Sequence, residues 1–346
     1  MMSEKIFTLL VGALICSLLL SAGCAEPAKE VAKPRLEPEE QILQVPTEET
    51  ATLALKFSPQ DSTTYKITAE AQQSVKWEGP LPDDTTFKGG QNDNKMEMTF
   101  TQQIQSVDEK GSAIAKITIE ALKYSSVIKE NPVVDFDSSR AEDQDNPLAK
   151  LIGQSYTIEI TPTGKVTKVI DASGAQAAVR GGPSPPITAS KLLTTEAIKN
   201  RHGFIALPDA DKSQLRTGEN WSSTKTFLFG MMGSKSYEKI YTLKEIKDTD
   251  NRRTAIVKMN AIPTSETAEQ LHKEQETSQF SKMFDTTETY TGRLKLDLTT
   301  GKIEKYLEKL QSEWIVVEPL AEQQEDKEPV ILTMGAIRLY SLEKID

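Results

Sequence analysis

The chain has 346 residues, with 41 Lys+Arg against 51 Asp+Glu and a formal net charge of −10. Hydrophobic residues at 37% and charged residues at 27% exclude a multi-span membrane protein on one side and a wholly disordered chain on the other. The acidic balance argues against general nucleic-acid binding, which needs a basic face.

The first element is an apolar segment. From Ile6 to Leu20 only Thr8, Gly12, Cys16 and Ser17 interrupt the apolar residues, and Lys5 precedes them. As a helix it would span about 22 Å, short of the roughly 30 Å of a hydrocarbon core. It therefore reads as a signal peptide over 1–23. The segment ends Ser21-Ala22-Gly23-Cys24, which resembles the bacterial lipobox. That resemblance implies cleavage between Gly23 and Cys24 and acylation (palmitate among the chains) of Cys24, pinning the protein to a bilayer. Ala25, where aspartate would favour inner-membrane retention, implies the periplasmic face of the outer membrane if the cell is Gram-negative. Cleavage removes Cys16 and leaves Cys24 as the only cysteine, so neither a disulfide framework nor a cysteine-ligated zinc site is expected.

Residues 24–50 carry Pro27, Pro34, Pro38 and Pro46 among many Glu and Lys and read as a tether. From Leu53 the period becomes two. Leu53, Leu55 and Phe57; Tyr65, Ile67 and Ala69; Met96, Met98, Phe100 and Ile104; Ile117 and Ile119; and Tyr156, Ile158 and Ile160 each alternate with smaller or polar residues. Alternation of this kind marks antiparallel strands with one face buried. Turn signals lie between them at Asp108-Glu109-Lys110-Gly111 and Thr161-Pro162-Thr163-Gly164.

An internal repeat follows. Phe100 to Ile117 aligns without gaps on Thr242 to Met259, matching Ile104 with Ile246, and Tyr156–Ile160 matches Leu294–Leu298 in the same order. The expected fold is mainly β, a β-rich α+β architecture. It has a first half over 51–172, a linker with a helix over 173–211 and a second half over 212–346. Each half is expected to be a curved antiparallel sheet or half-barrel. In the linker, Thr188 or Ser190 caps a helix carrying Leu192, Leu193, Ala197 and Ile198 that stops at Gly203. A second, very polar helical candidate spans 265–278.

Motifs that carry chemistry are scarce. His202 and His272 stand in unlike contexts and read as surface side chains, and no metalloprotease, nucleophile-elbow or phosphate-loop pattern occurs. Asp135 and Asp137, followed by Glu142, Asp143 and Asp145, are weak candidates for a cation site. Arg140 stands where a calcium loop needs glycine and Asn146 where it needs a bidentate acid, so the segment reads as a solvated acidic loop. Trp77, Trp221 and Trp314 read as core or sheet-edge aromatics. Gly230-Met231-Met232-Gly233, beside Phe227 and Phe229, reads as a hairpin turn.

The lipobox, the spacing from Asp61 to Tyr65 and from Gly218-Glu219 to Trp221, and Pro147-Leu148-Ala149 ahead of Tyr156 together resemble a family of duplicated, β-rich bacterial envelope lipoproteins. The resemblance implies no activity and no catalytic residues. Expected partners are the bilayer through acylated Cys24 and either envelope proteins or an apolar ligand; no cofactor and no enzymatic role are expected. A scaffold or protein-binding module is the leading expectation. The alternative is a carrier or sensor for a lipid or other apolar ligand, which would show as a sizeable apolar cavity between sheet and helix.

Overall fold

The computed structural model describes residues 49–79, 89–180, 187–203, 205–249, 252–264, 283–317 and 329–345. The signal segment, nearly all of the tether and the helical candidate at 265–278 lie outside the described residues.

Period-two alternation produces strands as expected. The first half contains β1 (Thr50–Thr52), β2 (Ser62–Glu78), β3 (Gly90–Val107), β4 (Ala113–Ile128), β5 (Asn131–Asp137), β6 (Ser155–Ile160) and β7 (Val166–Asp171). The second contains β8 (Gln214–Arg216), β9 (Asn220–Leu228), β10 (Ser234–Thr249), β11 (Arg252–Thr264), β12 (Asp285–Asp297), β13 (Lys302–Val317) and β14 (Ile331–Lys344). β13 shows the physics most plainly. Tyr306, Glu308, Leu310, Ser312, Trp314 and Val316 are buried, while Leu307, Lys309, Gln311 and Glu313 between them are exposed.

The halves do not form two separate sheets. Twelve strands make one antiparallel sheet in the order β7-β6-β4-β3-β2-β14-β13-β12-β11-β10-β9, with β5 also on β4, and the sheet does not close into a barrel. β14 causes the merger. One edge pairs with β13, and the other pairs with β2 along its whole length, from Ile331 opposite Glu78 to Lys344 opposite Tyr65. Without it β2 would present a long row of unpaired backbone groups.

Strand order recurs on the two sides of this seam, but the registers depart from the gapless alignment. Val107 faces Ala113 as Ile246 faces Ala255, so Val107, not Ile104, takes the place of Ile246. Both hairpins bulge at the same level, at Gln105 opposite the Ile114–Ala115 step and at Lys244 opposite the Ile256–Val257 step. Ile160 faces Ala113 as Leu296 faces Ala255, two residues from the expected match with Leu298. Turn lengths differ between the copies, and the bulge in each strand spaces its inward residues three apart, Ile104 to Val107 and Leu243 to Ile246, so a three-residue slip still matches apolar residues.

The linker forms three helices: α1 (Ser173–Arg180), α2 (Ile187–Leu192) and α3 (Thr195–His202). The single expected helix is broken because the Thr194 side chain accepts a bond from Ala197 N (3.2 Å) and starts α3 afresh. Ala175, Val179, Ala189, Leu193 and Ile198 are buried in the same core as Phe100, Ile117, Leu122, Tyr156 and Ile158. The helices therefore cover the inner face of the first half.

Residues 53–57 alternate as expected yet form no ladder. They cross the turn end of the sheet, where loop carbonyls of both halves accept their amides: Leu53 N to Ser213 O (2.9 Å), Leu55 N to Pro162 O (2.8 Å) and Lys56 N to Gly301 O (3.2 Å). Gly301 has φ +68°, and a Cβ there would lie 2.5 Å from Lys56 N. Leu53 is fully buried. Leu53→Ala should lower stability by about 3 kcal/mol, the usual cost of a buried leucine truncation, read as a lower urea midpoint with an unchanged slope.

Candidate functional site

Inward side chains shrink along β2, from Tyr65 and Ile67 to Ala69 and Ala71. Space opens above the alanines. A cavity of about 550 Å³ lies there, with an apolar lining that includes Ala69, Ala71, Met96, Phe227 and Leu310 and with Leu192, Ala197 and Arg201 contributed by the helical segment. Residues of β3 and of the far edge strand β9 line the same space, so the sheet curls around it.

One wall rests on a buried polar cluster. Glu308 Oε2 accepts bonds from Tyr306 Oη (2.7 Å), Tyr290 Oη (3.0 Å) and Lys239 Nζ (3.2 Å). Lys239 and Glu308 are only 4% and 7% exposed, so each needs the other. Lys239 also lies 5.5 Å from the Tyr241 ring centroid. Burial pulls the Lys239 ammonium down, but Glu308 and Tyr241 outweigh it and hold the group above its ordinary value. Burial, reinforced by the Glu308 charge, raises Tyr290 and Tyr306. Gly292 stands between Met259 and Glu308 on neighbouring strands. A Cβ there would come within 2.8 Å of Leu307 O and 2.9 Å of Met259 Cε, so glycine makes the close packing possible.

Two further cations line the cavity, Lys225 of β9 and Arg338 of β14. Burial lowers both from their ordinary values. Glu308 pulls Lys225 back up and Lys239 pushes it down. Neither side chain has a hydrogen-bond or ion-pair partner among the described residues, and the buried Arg338 Nε has no acceptor.

A second cluster fixes α3. His202 is buried, which corrects the expected surface position. Its Nε2 lies 2.6 Å from Tyr156 Oη, and its ring meets Phe100 edge-on at 4.9 Å. Arg201 donates to Tyr156 Oη (3.1 Å) and to Leu192 O (2.6 Å), while Tyr340 donates to Arg201 O. Burial, then the Arg201 charge, hold His202 well below its ordinary value, so the ring is neutral and accepts the Tyr156 proton. The weakly amphipathic α3 sequence gave no sign of this inward turn. His272 lies outside the described residues.

The remaining sequence candidates occupy structural positions. Arg140 bridges Asp135 (3.0 Å) and Asp143 (2.6 Å), and Asp137 pairs with Lys123 (2.9 Å) while accepting from Ser139 N and Oγ. Lys123, then the Ser139 bonds, hold Asp137 below the usual carboxylate range. Among the described residues no group of three or more His, Cys, Asp or Glu could hold a metal ion. Trp221 stacks on Tyr241 (5.2 Å) and donates to Ala206 O (2.7 Å); Trp314 is buried against Phe229 (5.1 Å); Trp77 packs half-buried on the core. The Gly230–Met232 turn closes the β9–β10 hairpin, with Phe229 inside and Leu228 68% exposed. Cys24 and Gly23 lie outside the described residues.

No protein-family model matches the chain, and no curated protein sequence does either. Among solved structures it is similar to lipovitellin, a structure concerned with lipid–protein interactions, at 11% identity and a TM-score of 0.38. The match covers 84% of this chain but spans only 26% of lipovitellin. Likeness at this level says nothing about function.

His202 sets a pH dependence of stability. Its folded value lies below the unfolded value of 6.5, so the unfolded chain takes up the proton first. The contribution is complete above pH 6.5 and is lost as pH falls, by about 1.4 kcal/mol per pH unit. Urea unfolding should show the midpoint falling as the pH is lowered from 6.5 to about 5. In His202→Gln the profile should be flatter, whatever its starting level.

Proposed function

We propose that this protein is a lipid-anchored envelope protein that carries or senses an apolar ligand in the space between its sheet and α3. The cavity itself carries the reading. Its volume of about 550 Å³ falls within the roughly 300–1,000 Å³ of small-molecule sites. Its lining is mainly apolar with a few convergent polar groups, the usual composition of such sites. Acylation of Cys24 would keep the body beside a bilayer, and a tether of about 25 residues at ~3.1 Å each gives it up to ~75 Å of reach. No catalytic step is assigned.

A scaffold role is the second reading, and one observation favours it. Val133, Leu228, Ile262 and Val317 are large, exposed apolar residues, and all lie toward the strand ends farthest from the β1–β8 pair. A row of this kind at one rim suits contact with another protein.

Mass spectrometry of a solvent extract from natively purified protein should show a co-purifying apolar compound. Ala71→Trp, which fills the cavity floor, should lose it while keeping a cooperative melt. An empty wild-type protein would leave the scaffold reading in place. In the native host Cys24→Ser should leave the precursor uncut, with its apolar 6–20 segment still attached, and abolish incorporation of labelled palmitate. Unchanged processing and labelling would remove the anchor from the account.

A further inference from the structure

We infer that the cavity takes an anionic amphipath, an apolar chain ending in a carboxylate or phosphate, with its head on Lys225 and Arg338. This rests on the apolar-ligand reading and specifies the ligand's chemistry.

Charge placement carries it. The protein bears a net −10, yet the groups turned into this space are mostly cationic. Lys225, Arg338, Arg201 and Lys95 line it against two carboxylates, the buried Glu308 and the partly exposed Glu70. Glu308 is committed, since one oxygen already receives Lys239, Tyr290 and Tyr306. Arg201, also lining the cavity, spends two nitrogens on Tyr156 and Leu192 and keeps a buried Nε without an acceptor. Lys95 is engaged by Glu70 and Glu97. Lys225 and Arg338 are therefore the two lining cations whose side chains have no hydrogen-bond or ion-pair partner among the described residues. Half-buried cations in an apolar lining are costly to keep unpaired. An anion between them would remove that cost, and guanidinium with ammonium is the donor set that grips carboxylate or phosphate. The apolar floor formed by Ala69, Ala71, Met96 and Leu310 accommodates the chain behind the head. Glu308 and its tyrosines, on the adjoining wall, keep Lys239 occupied and out of competition for the head.

The test is titration calorimetry of the purified chain with oleate, oleyl phosphate and uncharged oleyl alcohol as probes, and with acetate as a head without a chain. Oleate or oleyl phosphate should bind at least about tenfold more tightly than the alcohol, the gain of a charge-assisted bond. Acetate should neither bind nor compete at millimolar concentration. In Lys225→Met/Arg338→Met the ratio of anion to alcohol affinity should fall toward one, and Lys225→Arg/Arg338→Lys should restore it. Equal affinities for the anions and the alcohol in the wild type would overturn the inference and leave the apolar site standing. Selectivity that survives the double methionine variant would overturn the assignment to these two residues. Full competition by acetate would show a plain anion site, overturning the amphipath. Failure of all probes to bind would sink the cavity reading and this inference together.

Discussion

The ladder between β2 and β14 is the interaction on which the rest depends. It joins strands more than two hundred and fifty residues apart in sequence into continuous hydrogen bonding and turns two stretches of antiparallel strand into one sheet. Such a sheet must hide its apolar face. On one side of the seam three short helices do so. On the other, the sheet's own curl brings β9 toward the inner face of β2 and β14. The cavity lies where these two solutions meet, and its floor crosses the seam itself.

That position explains the unusual chemistry of the inner face. A fully apolar lining at the curl would favour collapse and loss of the space. Instead Glu308 ties β13 to β10 and β12 through Lys239 and Tyr290, while Tyr340 of β14 ties the seam to the end of α3. Removing one partner of a buried ion pair is strongly destabilising, so the Lys239–Glu308 pair holds β10 and β13 together across the two strands between them. Lys225 and Arg338 sit on the same face with no such structural duty, which separates them from the network around them.

Much of the fold was legible in the sequence, and the reasons are local. Tyr156-Thr-Ile-Glu-Ile160 can only be a half-buried strand, Thr161-Pro162-Thr163-Gly164 can only turn, and Gly203 ends α3 as read. The seam was not legible, because pairing between β2 and β14 leaves no mark in either strand beyond alternation. Register was not legible because it depends on the bulges at Gln105 and Lys244, which let Val107 take the place that alternation alone gives to Ile104. The site was harder still. A lysine or arginine at an inward position looks like any other charge in an alternating strand until the curl is known. His202 read as a surface residue because only Phe100 and Tyr156, far away in sequence, make its pocket.

β14 also governs the order of events during synthesis. It emerges after every other described strand, so both flanking stretches are complete before their suture exists. Until then β2 and β13 each expose a long, straight edge able to recruit the same strand from a neighbouring chain. A nascent molecule is therefore open to exchanging its last strand with a sister copy, and crowding during production would decide between self-closure and reciprocal swapping.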